Sequence, residues 1–205
     1  MSEARKARLG VLLSGRGSNF IAIADAIANG SLTGCEIAVV LSNIADAPGL
    51  AAAQQRGLAT EVHVSKGVSR AEHDAKMIAA LNAHEIDLVI LAGYMRVLSP
   101  EFIRAFPDRI LNIHPSLLPS FPGLHAQQQA LDYGAKVAGC TVHFVDEAVD
   151  HGVIILQRVV PVEDTDDEAA LSARILEQEH QAYTEAIARV LSGNYVTEER
   201  RYKQR

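Results

Sequence analysis

The stretch LGVLLSGRGSN, residues 9–19, places a continuous apolar run directly before a glycine-rich turn. A short apolar run bounded by turn residues predicts a strand that is buried on both faces. Residues 20–27 then repeat apolar side chains at helical spacing, and the Asn-Gly pair at 29–30 predicts the end of that helix. A strand, a tight turn and a helix in this order are typical of the start of an α/β fold.

The alternation of strand and helix patterns continues through the first half of the chain. A weaker strand is predicted at residues 60–64, helices at 46–55, 69–81 and from 99 onward, and further apolar strands at 36–41, 87–92 and 109–114. Because these strands are apolar throughout, both faces of their sheet must be covered. The sequence therefore predicts an α/β fold of three layers, in which an open, mostly parallel sheet carries helices on both faces.

The second half of the chain begins with a proline-rich loop at residues 115–123, which we expect to be rigid. The sharp turn that this loop has to make favours a cis bond between Leu118 and Pro119. After it we expect a short helix and then two strands with a charged loop between them, at residues 125–133, 139–145 and 153–162. The two strands predict an antiparallel addition to the sheet near the C-terminus.

The end of the chain is predicted to be one long helix followed by a loose tail. Thr165 and Glu168 have the spacing of a capping box, and the helix runs to about residue 191. Residues 198–205 are highly charged, so we expect them to fray. No repeat or linker divides the sequence, which predicts one domain over residues 1–205.

The composition is that of a globular protein, with 48% hydrophobic and 21% charged residues among 205. A formal net charge of −6 disfavours broad binding to nucleic acid. No apolar run approaches the ~18 residues of a membrane span, and the N-terminus lacks a signal-peptide core. Two cysteines, Cys35 and Cys140, are typical of a reduced, cytoplasmic protein, although the sequence leaves a disulfide between them open.

The glycine-rich turn is a candidate phosphate site. A helix N-terminus presents unpaired backbone N–H groups and the positive end of the helix dipole, and both favour an anion. Gly17 lets the backbone approach a ligand, while Ser18 and Asn19 add donors. The alternative is a plain turn in which Ser18 caps the helix. A Walker loop is excluded because no Gly-Lys-Ser/Thr follows, and Phe20 replaces the third glycine of a dinucleotide motif.

Asn112 and His114 form the second candidate site. Residues two apart in a strand project to the same face, so these side chains point together at the end of an inner strand. Pro115 keeps His114 extended. An amide beside an imidazole resembles a donor pair for an oxyanion, and the alternative is a strand end that bonds to the next loop.

Asp150 and Glu179 are candidates whose partners the sequence does not reveal. A carboxylate at Asp150 facing His114 would favour the imidazolium, although an Asp two residues before a glycine is also an ordinary turn. Glu179 falls in the apolar stripe of the last helix and needs either an internal partner or a ligand group. The histidines lack the short spacings of a zinc site, so no metal is expected.

Taken together, these segments resemble the glycinamide ribonucleotide formyltransferase family of purine biosynthesis, over residues 11–190. The resemblance rests on the order and spacing of seven motifs. They are SGRGSN (14–19), LAGYMRVLSP (91–100), LNIHPSLLP (111–119), FPGLH (121–125), GCTVHFV (139–145), DHG (150–152) and QEH (178–180). The resemblance implies transfer of a formyl group from 10-formyltetrahydrofolate to the amino group of glycinamide ribonucleotide, in the cytoplasm, by a monomer or homodimer.

The resemblance also implies a role for each site residue. Asn112 and His114 would hold the formyl oxygen as it becomes an oxyanion, and Asp150 would keep His114 protonated and help to move the proton of the amine. The other implied contacts are Gly17, Ser18 and Asn19 with the ribonucleotide phosphate, Glu179 with the ribonucleotide, and Arg70, Met95, Arg96, Val97, Leu98 and Asn112 with the folate. Neither a metal, nor nucleic acid, nor a membrane is implied.

The roles of two positions stay open in the sequence, and three rival functions fit it less well. Leu176 stands where many members of the family carry a polar residue near the phosphate, and Arg16 either assists the phosphate or is solvated. A formyltetrahydrofolate hydrolase would use the same trio with water, but is expected to carry a regulatory domain before the first strand. A methionyl-tRNA formyltransferase is expected to carry a further C-terminal domain and a different charge. A nucleotide-binding regulatory module would have no need of the trio.

Overall fold

The computed structural model describes residues 5–205, so the first four residues of the N-terminal stretch lie outside it. It divides into two compact units, one that ends at Leu111 and one from Asn112 to Arg205. The elements of the first unit are β1 (Ala7–Leu13), α1 (Ser18–Ala28), β2 (Cys35–Ser42), α2 (Pro48–Gln55), β3 (Thr60–Val62), α3 (Arg70–Ala83), β4 (Leu88–Leu91) and α4 (Pro100–Ala105). Strand β5 (Ile110–His114) contains the boundary. The elements of the second unit are α5 (Ala126–Tyr133), β6 (Val137–Phe144), β7 (Ile154–Pro161), α6 (Glu168–Leu191), β8 (Tyr195–Glu198) and β9 (Arg201–Gln204).

The first unit is built on parallel strands. Strand β1 pairs in parallel with both β2 and β4, and β2 pairs in parallel with β3. All four residues of β4 and the last five of β1 are buried, as expected for strands covered on both faces. Gly10 makes this packing possible, because a Cβ there would overlap the Leu81 side chain of α3.

The second unit contains the antiparallel part of the sheet. Strands β6 and β7 pair antiparallel, with Thr141 opposite Gln157, and α6 packs on both strands. Leu171, Ile175 and Tyr183 form the buried face of α6, as the spacing predicts. The hydrogen-bonded order of the seven strands is β3-β2-β1-β4-β5-β6-β7, which confirms the predicted fold class of a mostly parallel sheet with an antiparallel addition.

Helix ends follow local capping chemistry, with one correction to the sequence prediction. Ser69 and Ser99 cap α3 and α4 by accepting the backbone N–H of the third residue that follows each. The cap of α6 is Asp167, whose side chain accepts from Ala170, so the prediction of Thr165 was wrong. A carboxylate next to the helix also interacts with the positive end of the helix dipole, which favours Asp167 over the more distant hydroxyl.

The predicted frayed tail is wrong as well, because it folds into a hairpin. Strands β8 and β9 pair antiparallel from Tyr195–Gln204 to Glu198–Arg201. Tyr195 and Tyr202 stack with ring centroids 5.2 Å apart, and the edge of Tyr202 meets Phe144 at 5.6 Å. These aromatic contacts hold a segment whose charged residues suggested disorder.

No helix within residues 5–205 combines the length and the apolar character that crossing a bilayer requires. Both cysteines are free and buried.

Candidate active site

His114 lies at the carboxyl end of β5 between two hydrogen-bond acceptors. Its Nδ1 is 3.3 Å from the Asp150 carboxylate, and its Nε2 is 2.9 Å from the backbone carbonyl of Phe121. Both ionisable side chains are almost enclosed, with 7% of His114 and 10% of Asp150 exposed. Two residues distant along the chain are therefore brought into direct contact in a place where water screens them little.

The loop between β6 and β7 holds Asp150 in an unusual backbone conformation. Asp150 has φ +51°, in the left-handed region that non-glycine residues rarely adopt. Its carboxylate accepts a 2.8 Å hydrogen bond from the backbone N–H of Gly123. Gly152 lies so close to Phe144 that a Cβ would overlap the Phe144 carbonyl oxygen. The loop is thus fixed by its own packing and by the proline-rich loop.

Asn112 points from the same face of β5 toward His143 of β6. The Asn112 Nδ2 is 3.3 Å from His143 Nε2, and His143 Nδ1 is 2.7 Å from the carbonyl oxygen of Phe144. That carbonyl can only accept, so the His143 proton is on Nδ1 and Nε2 is left to accept from Asn112. Burial lowers the pKa of His143, which keeps the ring neutral and preserves this arrangement.

The proline-rich loop is held by a buried polar network. Thr141 donates to the Ser116 carbonyl at 2.6 Å and accepts from the Leu118 N–H at 3.0 Å. Gln157 donates to both Thr141 and the Leu118 carbonyl. The Leu118–Pro119 bond is cis, as the sharp turn predicts. The network fixes the chain on which the Phe121 carbonyl and the Gly123 N–H face the His114–Asp150 pair.

The glycine-rich turn of the first unit ends at Gly17, which takes the N-cap position of α1 with φ +67°. Gly17 has no side chain to cap this helix end, and the first turn of α1 holds no acidic residue. Ser18 is therefore the first helical residue rather than the cap that the alternative interpretation requires. The arrangement suits an anion, because first-turn N–H groups are directed outward.

Ser14 joins this turn to the segment that follows β4. Its hydroxyl donates to Asn43 Oδ1 at 2.6 Å and accepts from the Met95 N–H at 2.8 Å, while its own N–H donates to the Gly93 carbonyl. Asn43 follows β2, so the carboxyl ends of three adjacent parallel strands are linked by one buried hydroxyl. This is the edge at which open α/β sheets bind ligands.

The segment after β4 exposes apolar side chains on an irregular backbone. Met95 is 74% exposed and Val97 is 54% exposed, whereas Leu98 is buried. Arg96 is half-buried and directs one terminal nitrogen to within 3.5 Å of the Val68 carbonyl. Arg70 is exposed at the first position of α3. Exposed apolar groups of this kind are typical of a surface that binds another molecule.

Glu179 is buried on the inner face of α6, as its position in the stripe predicts. Burial and then the charge of Glu179 raise the pKa of Cys140 to about 12, so this thiol stays protonated. Cys140 is accordingly a packing residue and not a nucleophile. Leu176, one turn before Glu179, is partly exposed, and Arg16 is exposed.

Three parts of the site were not found from the sequence. They are the acceptor nitrogen of His143, the carbonyl of Phe121 and the N–H of Gly123. Alternation places Thr141 and His143 on one face of their strand, but a single sequence does not say which residues face them. Within residues 5–205, no group of three or more His, Cys, Asp or Glu side chains is arranged to hold a metal ion.

The chain is similar to known proteins over most of its length. The family model described as Formyl transferase matches residues 7–187. The chain is 45% identical to the phosphoribosylglycinamide formyltransferase of Escherichia coli (strain K12), over 84% of this chain and 82% of that protein. It is similar in structure to glycinamide ribonucleotide transformylase 1 from Symbiobacterium toebii, with a TM-score of 0.94 and 49% identity, covering 97% of this chain and 94% of that one.

A longer relative shows the same similarity in one part only. The chain is 46% identical to the trifunctional purine biosynthetic protein adenosine-3 of Drosophila melanogaster over 196 residues. The match covers 94% of this chain but only 14% of that protein, so the chain spans a small fraction of the length of this relative.

Proposed function

The chain belongs to the formyl transferase family, and from that premise we propose that it is a folate-dependent phosphoribosylglycinamide formyltransferase of purine biosynthesis. It moves the formyl group of 10-formyltetrahydrofolate to the amino group of 5-phosphoribosylglycinamide. The observation that carries the proposal is the contact between His114 and Asp150 beside the amide of Asn112. An amine that attacks a formyl amide needs oxygen stabilisation and proton transfer, and these three groups supply both.

The proposed reaction is a direct transfer without a covalent enzyme intermediate. The amine nitrogen bonds to the formyl carbon, the formyl oxygen becomes an oxyanion, and the nitrogen gives up a proton. The bond between the formyl carbon and N10 of the folate then breaks, and N10 takes up a proton. Asn112 and His114 donate to the oxyanion, and Asp150, directly or through water, accepts and returns the proton.

Both ring nitrogens of His114 face an acceptor in this arrangement. A carboxylate and a carbonyl are both acceptors, so each ring nitrogen is suited to carry a proton. We propose that the formyl oxygen replaces the Phe121 carbonyl at Nε2, because the bond to a neutral carbonyl is weaker than the bond to the Asp150 carboxylate. The Asp150 carboxylate then holds the ring at Nδ1 while the oxyanion forms at Nε2.

His143 positions the amide of Asn112 for the same task. One N–H of the amide is used by His143 Nε2, so the other N–H remains for the formyl oxygen. We expect His143→Leu to reduce turnover by about tenfold or more, since losing a buried acceptor frees the amide to rotate. His143→Gln retains an acceptor oxygen and is expected to lose less. Steady-state kinetics of both variants test this role, and equal losses would contradict it.

Residues of both compact units are proposed to contact the substrates, and each unit is described by itself. In the first unit, Gly17, Ser18 and Asn19 hold the ribonucleotide phosphate at the N-terminus of α1. In the second unit, Glu179 contacts the ribonucleotide through a hydroxyl or amine. The proposed folate contacts are Arg70, Met95, Arg96, Val97, Leu98 and Asn112.

Ser18→Ala is expected to raise the KM for the ribonucleotide by about fivefold to tenfold, because one hydrogen bond to a charged phosphate is lost. Turnover and the KM for the folate should change little. Ser31→Ala, which removes a hydroxyl bonded to the Ala26 carbonyl at the other end of α1, is the matched control. A fall in turnover at unchanged ribonucleotide affinity would refute the phosphate role.

Several wider properties belong to the same proposal. We propose that residues 1–205 act as a single formyltransferase domain that binds a nucleotide in the cytoplasm, as a monomer or a homodimer. We propose that it uses no metal and binds neither nucleic acid nor a membrane. The net charge of −6 supports the statement on nucleic acid.

The choice of acceptor tests the proposed function directly. The protein is supplied with 10-formyltetrahydrofolate and either glycinamide ribonucleotide, water alone or methionyl-tRNA. We expect the formyl group to appear on the ribonucleotide. Release of formate without the ribonucleotide, at the rate of transfer measured with it, would indicate a hydrolase. Formylated tRNA would indicate a methionyl-tRNA formyltransferase. Binding of nucleotide without any transfer would indicate a regulatory module.

A further inference from the structure

The turn of the C-terminal hairpin, the hairpin formed by β8 and β9, lies against the loop that carries Asp150. Arg200 Nη2 donates to the carbonyl oxygen of His151 at 2.5 Å, and Arg200 Nη1 is 3.2 Å from His151 Nε2. His151 directly follows Asp150 in the chain. Arg200 therefore holds the residue that follows Asp150, whose carboxylate faces His114.

The same histidine closes the loop from within. His151 Nδ1 is 2.8 Å from the Asp146 carboxylate, whose other oxygen accepts from the Ala148 N–H at 3.0 Å. The start and the end of the loop are thus joined by one side-chain contact. Arg200 adds the contact that comes from outside the loop.

The hairpin that carries Arg200 packs on β6 and α6 through aromatic contacts. Tyr202 meets Phe144, the last residue of β6, with its ring edge, and stacks on Tyr195. The guanidinium of Arg189 from α6 lies 5.8 Å from the centre of the Tyr195 ring. These contacts connect the hairpin to β6, which leads into the loop, and to α6.

Asp150 needs such a constraint. Its φ of +51° is disfavoured for an aspartate, and a conformation of this kind persists only when the surrounding structure fixes it. We propose that the C-terminal hairpin is a positioning element for Asp150, and that Arg200 is the residue through which it acts. This inference rests on the proposed function for its effect on catalysis, but the effect on the loop is independent of it.

The test compares Arg200→Ala with Arg201→Ala. Arg201 is the next residue of the hairpin, and both changes remove the same positive charge. Within residues 5–205, the Arg201 side chain forms no hydrogen bond or ion pair, so its loss leaves the loop untouched. We expect Arg200→Ala to lower kcat by about fivefold to tenfold, the effect of one hydrogen bond, with an unchanged KM for the ribonucleotide. Amides 148–152 should exchange hydrogen faster, and Arg201→Ala should match the parent protein in both measurements.

Three further outcomes keep the inference open to refutation. Guanidinium at millimolar concentration should restore part of the turnover of Arg200→Ala, whereas sodium chloride at the same ionic strength should not. Arg200→Lys, which keeps one donor, should fall between the parent and Arg200→Ala, and it replaces that variant if the alanine protein does not fold. Unchanged hydrogen exchange at amides 148–152 in the variant that folds overturns the inference about the hairpin. Failure of the parent protein to formylate the ribonucleotide would refute only the proposed function.

Discussion

Turnover is expected to fall by about 10³-fold or more when His114 is replaced by alanine, and by a similar factor in Asp150→Asn. His114→Ala removes a donor to the oxyanion together with the ring that the Asp150 carboxylate contacts. Asp150→Asn keeps the size of the side chain but removes the negative charge that faces the His114 ring and accepts the proton of the amine. Because the two residues are in contact at 3.3 Å and act as one unit, the double variant should be little worse than either single variant.

Folate binding separates this prediction from simple unfolding. Both variants should bind the folate about as tightly as the parent protein, as measured by equilibrium titration, while single-turnover formyl transfer is lost. His125→Ala and Asp164→Asn are suitable controls, because each changes the same residue type at an exposed position. Normal turnover in either His114→Ala or Asp150→Asn would refute the roles given to them.

The donor pair of the site was predictable because the signal is local. Residues 112 and 114 are two apart in one strand, and alternation alone places their side chains on one face. The contact with Asp150 was only a hypothesis, since the turn pattern around it is common and nothing in a single sequence says which loop faces which strand. The three-dimensional path of β6 and β7 brings them together.

The parts that sequence reasoning missed are backbone groups and distant partners. The Phe121 carbonyl and the Gly123 N–H leave no trace in residue identity, because every residue has such groups. The C-terminal hairpin was mistaken for a frayed tail because its charges outweighed Tyr195 and Tyr202 in the pattern. Those two aromatic residues were the available signal, but the packing of Tyr202 on Phe144 depends on tertiary structure.

The N-terminal end of a helix was easier to predict where one capping residue was available than where several competed. Ser69 and Ser99 each stand alone before their helices, and both are caps. Before α6, residues 164–167 read DTDD, and all four are of types that can cap a helix. The spacing to Glu168 favoured Thr165, but the backbone first turns into the helix after Asp167.

Gly152→Ala is expected to lower turnover by about 10²-fold although residue 152 has no side chain to take part in the reaction. Its Cβ would overlap the Phe144 carbonyl oxygen, and backbone atoms can relieve this only by moving. The loop then shifts Asp150 away from His114, and a displacement of about 1 Å is enough for such a loss. The same carbonyl accepts from His143 Nδ1, so the amide of Asn112 is disturbed as well.

Stability and catalysis should respond differently in this variant. Forcing a methyl group into a packed site costs about 1–3 kcal/mol, which a folded domain can tolerate. Thermal unfolding should therefore show a lowered Tm with a cooperative transition, while kcat falls far more than the loss of folded protein explains. Gly57→Ala is the control, because its Cβ meets no atom within 4 Å, although its φ of +71° also disfavours alanine. If both glycine variants lose turnover equally, backbone strain in general is responsible, and the specific packing of Gly152 on Phe144 does not position Asp150.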